Sequence, residues 1–262
     1  MIIFRSFVDV EKLDWNKLSG NPSAIPILEQ NPDKINWKWL CINPAAIHLL
    51  IKEPPKIHWD MLSFNPSAIE ILKQNLLKIN WKYLSCNPAA IDLLEQNPLK
   101  IDWNMLSINP SAIHLFKLNP HRINWEILAG NEKAIGLFKD HPTRINMRLL
   151  SGNPAAIQII EHHPDLIDWS ELSGNSSPNA IKLLERNPDK INWTILSENS
   201  AAISLLERNP DKINWEMLAY NTSIFTYDYN KIKYRMINGI LEELMKNRFH
   251  PRNWEKWIDW MI

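Results

Sequence analysis

The chain has 262 residues, with 29 basic and 29 acidic side chains, a formal net charge of zero and 45% apolar content. This is the composition of a folded protein able to bury a substantial core, and it removes any global electrostatic argument for attraction to nucleic acid or membranes. Two cysteines exclude a disulfide scaffold, while 18 prolines against six glycines point to helices with sharply defined starts.

Residues 1–12 precede the first complete repeat and read as an N-terminal cap. Met1–Val10 is apolar in places without the layout of a signal peptide, and no apolar run approaches transmembrane length. The expectation is an intracellular, reducing location rather than secretion. Sequons at Asn175, Asn192 and Asn221 then carry no weight.

The tryptophans set the period. Trp15, Trp37, Trp59, Trp81, Trp103 and Trp125 are each 22 residues apart; Met147 holds the next place, then Trp169, then Trp193 after a two-residue insertion, then Trp215. Ten units follow, with the consensus N-P-[SA]-A-I-x-[LI]-L-E-x-N-P-D-K-I-[ND]-W-x-x-L-S-x. Each predicts two helices. Helix A, as in Asn43–Lys52, has Asn43 as N-cap and Pro44 at the first helical position, with Ala46, Ile47, Leu49 and Leu50 in one apolar arc. Helix B is short. Its cap is Asn or Asp in nine of ten units, with His58 as the exception; Trp and Leu follow on one face. A small residue comes next in every unit (Ser19, Cys41, Ser63 and their equivalents), which implies close helix approach. The least regular unit spans Gly130–Met147, where Glu132-Lys133 replaces Pro-[Ser/Ala] and Gly136 interrupts the helix.

One such unit cannot bury its own apolar stripe, so neighbours must stack. The expected fold is an all-α solenoid of about ten repeats over residues 1–219, with terminal units that differ because they are capped. Residues 220–262 read as a helical C-terminal cap. It would hold an amphipathic helix over Asn230–Phe249, a break at His250-Pro251, and a last short helix carrying Trp254, Trp257 and Trp260.

The run Asn-Pro-x-Ala-Ile-x-Leu-Leu-Glu-x-Asn-Pro-Asp-Lys-Ile-Asn-Trp resembles the Asn-Pro/Trp repeat proteins of giant DNA viruses of the mimivirus kind, over about residues 8–220. The tail is similar to that family's C-terminal block through Ile224-Phe225-Thr226-Tyr227-Asp228-Tyr229, Glu242-Glu243-Leu244 and His250-Pro251-Arg252. This likeness implies a viral origin and brings no established activity. A looser similarity to leucine-rich repeat variant proteins, which alternate α and 3₁₀ helices, implies the architecture alone.

No glycine-rich phosphate loop, nucleophile elbow or same-face histidine pair is present in the sequence. His162-His163 are adjacent and point apart, and Glu242-Glu243 suit a solvated helix face. The expectation is therefore no enzyme, no cofactor and no metal. Three stripes recur once per repeat instead. Two positions after the Trp lie Trp39, Met61, Tyr83, Met105 and Ile127, with Leu149, Ile195 and Met217 beyond. They either pack on the next repeat or form an apolar groove for a protein partner. A basic row comprises Lys12, Lys34, Lys56, Lys78, Lys100, Arg122, Arg144, Lys190 and Lys212, broken at Leu166. Its residues either pair with nearby carboxylates such as Asp33, Asp189 and Asp211, or form a polyanion track. The third stripe, from Pro26 and His48 to Ser204, reads as solvent-exposed. Three functions stay open: a protein–protein interaction scaffold, viral or host-directed; a self-associating virion component; and a binder of nucleic acid, which zero net charge disfavours.

Overall fold

The computed structural model describes residues 2–243. It is an α-solenoid of short helices in a regular repeat, as the 22-residue period requires. Two compact units are present: a repeat array, Ser6–Ile224, and a terminal unit that among the described residues comprises 2–5 and 225–243.

Within each repeat, helix A opens as a 3₁₀ turn on Pro-x-Ala and continues as α-helix, for example Pro44–Ala46 followed by Ile47–Lys52. A second 3₁₀ turn follows on Pro-x-Lys, such as Pro32–Lys34, before helix B, such as Trp37–Leu40. The Asn before this second turn does not cap it. Instead Asn31, Asn75, Asn97, Asn119, Asn187 and Asn209 donate their side-chain amides to the carbonyl four residues back, closing helix A. The helix B caps behave as expected: all nine Asn or Asp side chains accept a first-turn N–H, and His58 does not.

The core is layered. Helix B contributes Leu18, Leu40, Leu62 and their equivalents, and helix A contributes an Ala and a Leu or Phe per repeat, such as Ala112 with Phe116; all of these are fully buried. The small residue after the core Leu is buried as well, and in most repeats it is a Ser that hydrogen-bonds in two directions. Ser63 Oγ donates to the Trp59 carbonyl at 2.8 Å and accepts the Asn80 N–H at 3.1 Å, linking one repeat to the next. Cys41 Sγ substitutes by accepting from the His58 N–H at 3.3 Å.

The strongest inter-repeat element is the Asn at the start of helix A. All ten are buried. Each Oδ1 accepts the N–H two residues on, while each Nδ2 donates to carbonyl oxygens of the preceding repeat. Asn109 shows the pattern: its Nδ2 donates to Ser85 O at 3.0 Å and Asn87 O at 2.9 Å, and its Oδ1 accepts the Ser111 N–H. The two-residue insertion after Asn175 changes the numbering but keeps the bonds, with Asn199 donating to Ser173 O and Asn175 O.

The array closes on itself. Asn21, in the first repeat, donates to Ala219 O at 2.9 Å and Asn221 O at 3.1 Å, in the last. The expectation of capped, free-ended terminal repeats is therefore corrected: the first repeat buries its apolar face against the tenth, so neither needs a polar cover. The repeat geometry runs on through Asn221 to Ile224, where Thr222–Ile224 forms the same 3₁₀ turn as Pro22–Ala24 and packs beside it. Neighbouring B helices lie against one another, neighbouring A helices meet mainly through their opening 3₁₀ turns, and Trp39 of the second repeat reaches Tyr220 of the tenth across the first. Helix B thus lines the inner side of the curve.

In the terminal unit, Ile2–Phe4 (β1) pairs antiparallel with Phe225–Tyr227 (β2), Ile3 opposite Thr226, and the Phe4 and Phe225 rings lie 5.0 Å apart. Among the described residues, this small sheet is the one departure from helical structure. An α-helix over Tyr229–Glu243 follows. The expected continuation to Phe249, the break at His250-Pro251 and Trp254, Trp257 and Trp260 lie outside the described residues.

Candidate functional sites on the closed array

The basic row has a partner the sequence reading did not foresee. Each cation stands over the Trp of the preceding repeat: Lys34 over Trp15, Lys56 over Trp37, Lys78 over Trp59 and Lys100 over Trp81, at 4.2–4.4 Å from the ring centroid. Arg122 over Trp103, Lys190 over Trp169 and Lys212 over Trp193 continue the row, and Lys12 over Trp215 carries it across the junction between last and first repeats. The ring faces are electron-rich, so each contact is attractive. Asp33, Asp189 and Asp211 are exposed and make no ion pair with these lysines, but other nearby carboxylates do, as expected for part of the row: Lys12 pairs with Asp9 at 3.2 Å and Lys56 with Glu53 at 3.5 Å. Arg144 has no such stack: the Trp125 ring is met instead by Phe138 at 5.4 Å and His141 at 5.0 Å. The two breaks in the pattern coincide, since Met147 occupies the Trp position and Leu166 the cation position that would face it.

The apolar row two places after the Trp lies on the inner side. Trp39, Met61, Tyr83 and Met105 are half-buried and Ile127 is 36% exposed, so they neither fill the core nor stand free. Tyr83 stacks on Phe64 of the repeat before it, with centroids 4.4 Å apart. Glycine occupies the Phe64 position in some repeats to admit the next side chain; a Cβ on Gly174 would stand 3.2 Å from Ile195 Cγ2. Beside Met61 and Tyr83 is an open cavity of about 380 Å³, lined also by Lys38, His58, Trp59 and Asp60. The row is interrupted at the closure. There Lys17 hydrogen-bonds Glu216, stands 5.5 Å from the Tyr220 ring centroid, and has its pKa raised chiefly by that bond to Glu216.

Of the outward row, Pro26 is half-buried and the members from His48 to Ser204 are exposed, as expected; two of them pair with the preceding repeat, His48 with Glu29 at 2.9 Å and His114 with Glu95 at 2.7 Å. Burial raises both cysteine thiols, Cys86 to about 11, so neither is a thiolate at neutral pH. Among the described residues, no group of three or more His, Cys, Asp or Glu side chains could hold a metal ion.

One surface went unnoticed in the sequence. Leu77 and Leu99, equivalent positions of adjacent repeats, are 103% and 99% exposed, and Leu118, Ile51 and Leu76 are exposed near them. The signal was available: Asp33, Asp165, Asp189 and Asp211 hold the same repeat position, so two adjacent leucines are a departure from the pattern.

These features define a closed helical-repeat array whose surfaces differ from repeat to repeat. No known family model, curated protein or solved structure matches the chain.

Proposed function

We propose that the chain is a non-catalytic scaffold that holds a protein partner, viral or host, on the inner B-helix surface. The observation that carries this reading is the incompletely buried row Met61, Tyr83, Met105 and Ile127 beside the cavity at Lys38 and His58. A repeat array that used these positions only for packing would bury them as fully as it buries Leu62 or Leu84. Large, adaptable and aromatic side chains on a rigid backbone supply contact area with little ordering cost on binding. The viral setting rests on the resemblance of the Asn-Pro/Trp repeat.

The test is capture of partners from infected-host lysate by the purified chain and by a Met61→Ser, Tyr83→Ser, Met105→Ser variant. The proposal predicts a defined partner bound by the first and lost by the second, with the variant's circular dichroism unchanged. A partner retained equally by both would contradict it.

A further inference from the structure

The edge of the array formed by the ends of helix A and the second 3₁₀ turns changes character from repeat to repeat. At the position after the turn's first residue, the side chain is acidic in Glu11, Asp33, Asp165, Asp189 and Asp211 but aliphatic in Leu77 and Leu99. Both leucines are wholly exposed, and Leu118 (75%), Ile51 (59%) and Leu76 (46%) extend the patch over four consecutive repeats. Isolated exposed aliphatics are ordinary, whereas a contiguous row marks a binding surface. Lys52, Lys73, Lys78, Lys100 and Lys117 are interleaved with it and exposed, as are Glu53 and Glu95. Lys73 pairs with Glu70 at 2.9 Å, while Lys78 and Lys100 stack on Trp rings and keep their charge, so the stretch is basic on balance.

We propose that this edge, centred on Leu77 and Leu99, docks an acidic amphipathic helix of a partner protein. Three observations select that occupant. A second copy meeting the patch about a two-fold axis would set lysines against lysines, so charge disfavours self-association here. A flat anionic membrane touching this edge would also meet Asp165, Asp189, Asp211 and Asp33, which stand at the equivalent level on other repeats; a helix covers only the basic, apolar stretch. The spacing also agrees. Packed helical repeats step by about 10 Å, and residues seven apart on a helix rise by about 10 Å on nearly the same face. One partner side chain per repeat can therefore pack between successive aliphatics, with flanking carboxylates toward the lysines. This surface is separate from the inner row, so a scaffold using both would join two partners.

The test uses the full chain and a labelled 18-residue helical peptide with Leu at heptad-spaced positions, Glu flanking them and Ala elsewhere, read by fluorescence anisotropy. A Lys-for-Glu peptide and vesicles of phosphatidylcholine with phosphatidylserine are run in parallel. The variant Leu77→Asp, Leu99→Asp places at both positions the residue other repeats already carry there, on exposed sites, so folding is preserved and is checked by circular dichroism. The expected result is binding of the acidic peptide, at least tenfold weaker in the variant and weaker again at high salt, with the Lys peptide and vesicles unbound. Equal binding of acidic and basic peptides, an affinity unchanged in the variant, or no peptide binding would overturn the proposal. So would vesicle binding, or concentration-dependent dimerisation, that the variant abolishes.

Discussion

The side-chain amide of Asn21 donates to the main-chain carbonyl of Asn221, 200 residues away in sequence, at 3.1 Å. It is the same bond that Asn43 makes to Asn21 at 2.9 Å. First and last repeats are thereby neighbours in the same sense as any two consecutive repeats.

Equivalence has an energetic consequence. Asn109→Ala removes two donated bonds and a cap from a fully buried site, leaving carbonyls without partners, and is expected to cost about 2–4 kcal/mol. Asn21→Ala is expected to cost the same. In an open array, position 21 would have no preceding repeat and would lose little beyond the cap, about 1 kcal/mol. Urea unfolding of both variants measures the difference.

Asn109→Asp keeps the cap oxygen but loses both donors and buries a carboxylate facing carbonyls, so a loss of about 3–5 kcal/mol is expected. Asn146→Asp, on helix B, is expected to change stability by less than about 0.5 kcal/mol, because that side chain acts as an acceptor from Leu149 N and Asp caps equally well. Unfolding midpoints that ranked the two alike would refute the distinction between ladder and cap.

The joint exception Met147 and Leu166 is a natural double substitution of the Trp–Lys stack. Restoring one member, Met147→Trp or Leu166→Lys, leaves it without its partner; restoring both is expected to show a favourable coupling of about 0.5–1 kcal/mol. A double-mutant cycle by denaturant titration reads this directly, and a coupling of zero would make the stacks incidental.

Acid weakens one inter-repeat pair in a predictable direction. Burial opposes ionisation of Asp168, but the Glu171 N–H and the Arg148 guanidinium, 2.6 Å away, outweigh it and hold the carboxyl below its ordinary value near 3.8. A depressed folded pKa contributes stability that is full above the unfolded value and disappears as pH falls through the folded one. Arg148 is largely exposed, so the pair is worth less than about 1 kcal/mol. The stability gap between wild type and Arg148→Met should therefore be present at pH 7 and close below the ordinary carboxylate range; a gap that widened on acidification would contradict this.

The sequence made the repeat legible because each unit carries its own stop and start signals: Asn43 before Pro44, and Asp or Asn before each Trp. It also held the ladder in disguise. Helix B caps exchange Asn for Asp, as at Asp14 and Asn36, whereas the Asn-Pro position of helix A is Asn in all ten units. Only a residue that must donate as well as accept resists that exchange. Closure was not legible, since it depends on a small bend per repeat accumulated ten times, and no single residue encodes that sum. The expectation of distinct, capped terminal repeats failed for this reason. For the basic row, local carboxylate pairing was legible, as at Lys12 with Asp9 and Lys56 with Glu53. The Trp stacks were not, because a Lys is 19 residues from the ring it covers, as Lys34 is from Trp15; only the matched loss at Met147 and Leu166 betrays that pairing. The surface leucines were overlooked because Leu77 and Leu99 are unremarkable until set against the aspartates of the other repeats.

Closure is tested most directly by zero-length carbodiimide coupling of the monomeric protein followed by peptide mass spectrometry. Lys17 Nζ and Glu216 Oε1 are hydrogen-bonded in the closed array, so an isopeptide joining the Lys17 and Glu216 peptides should be recovered from the monomer fraction. An open array of ten repeats would hold these groups on the order of 90 Å apart at about 10 Å per repeat. Recovery of that link only from cross-linked dimers, or its absence while surface carboxylates are activated, would show that the ends do not meet.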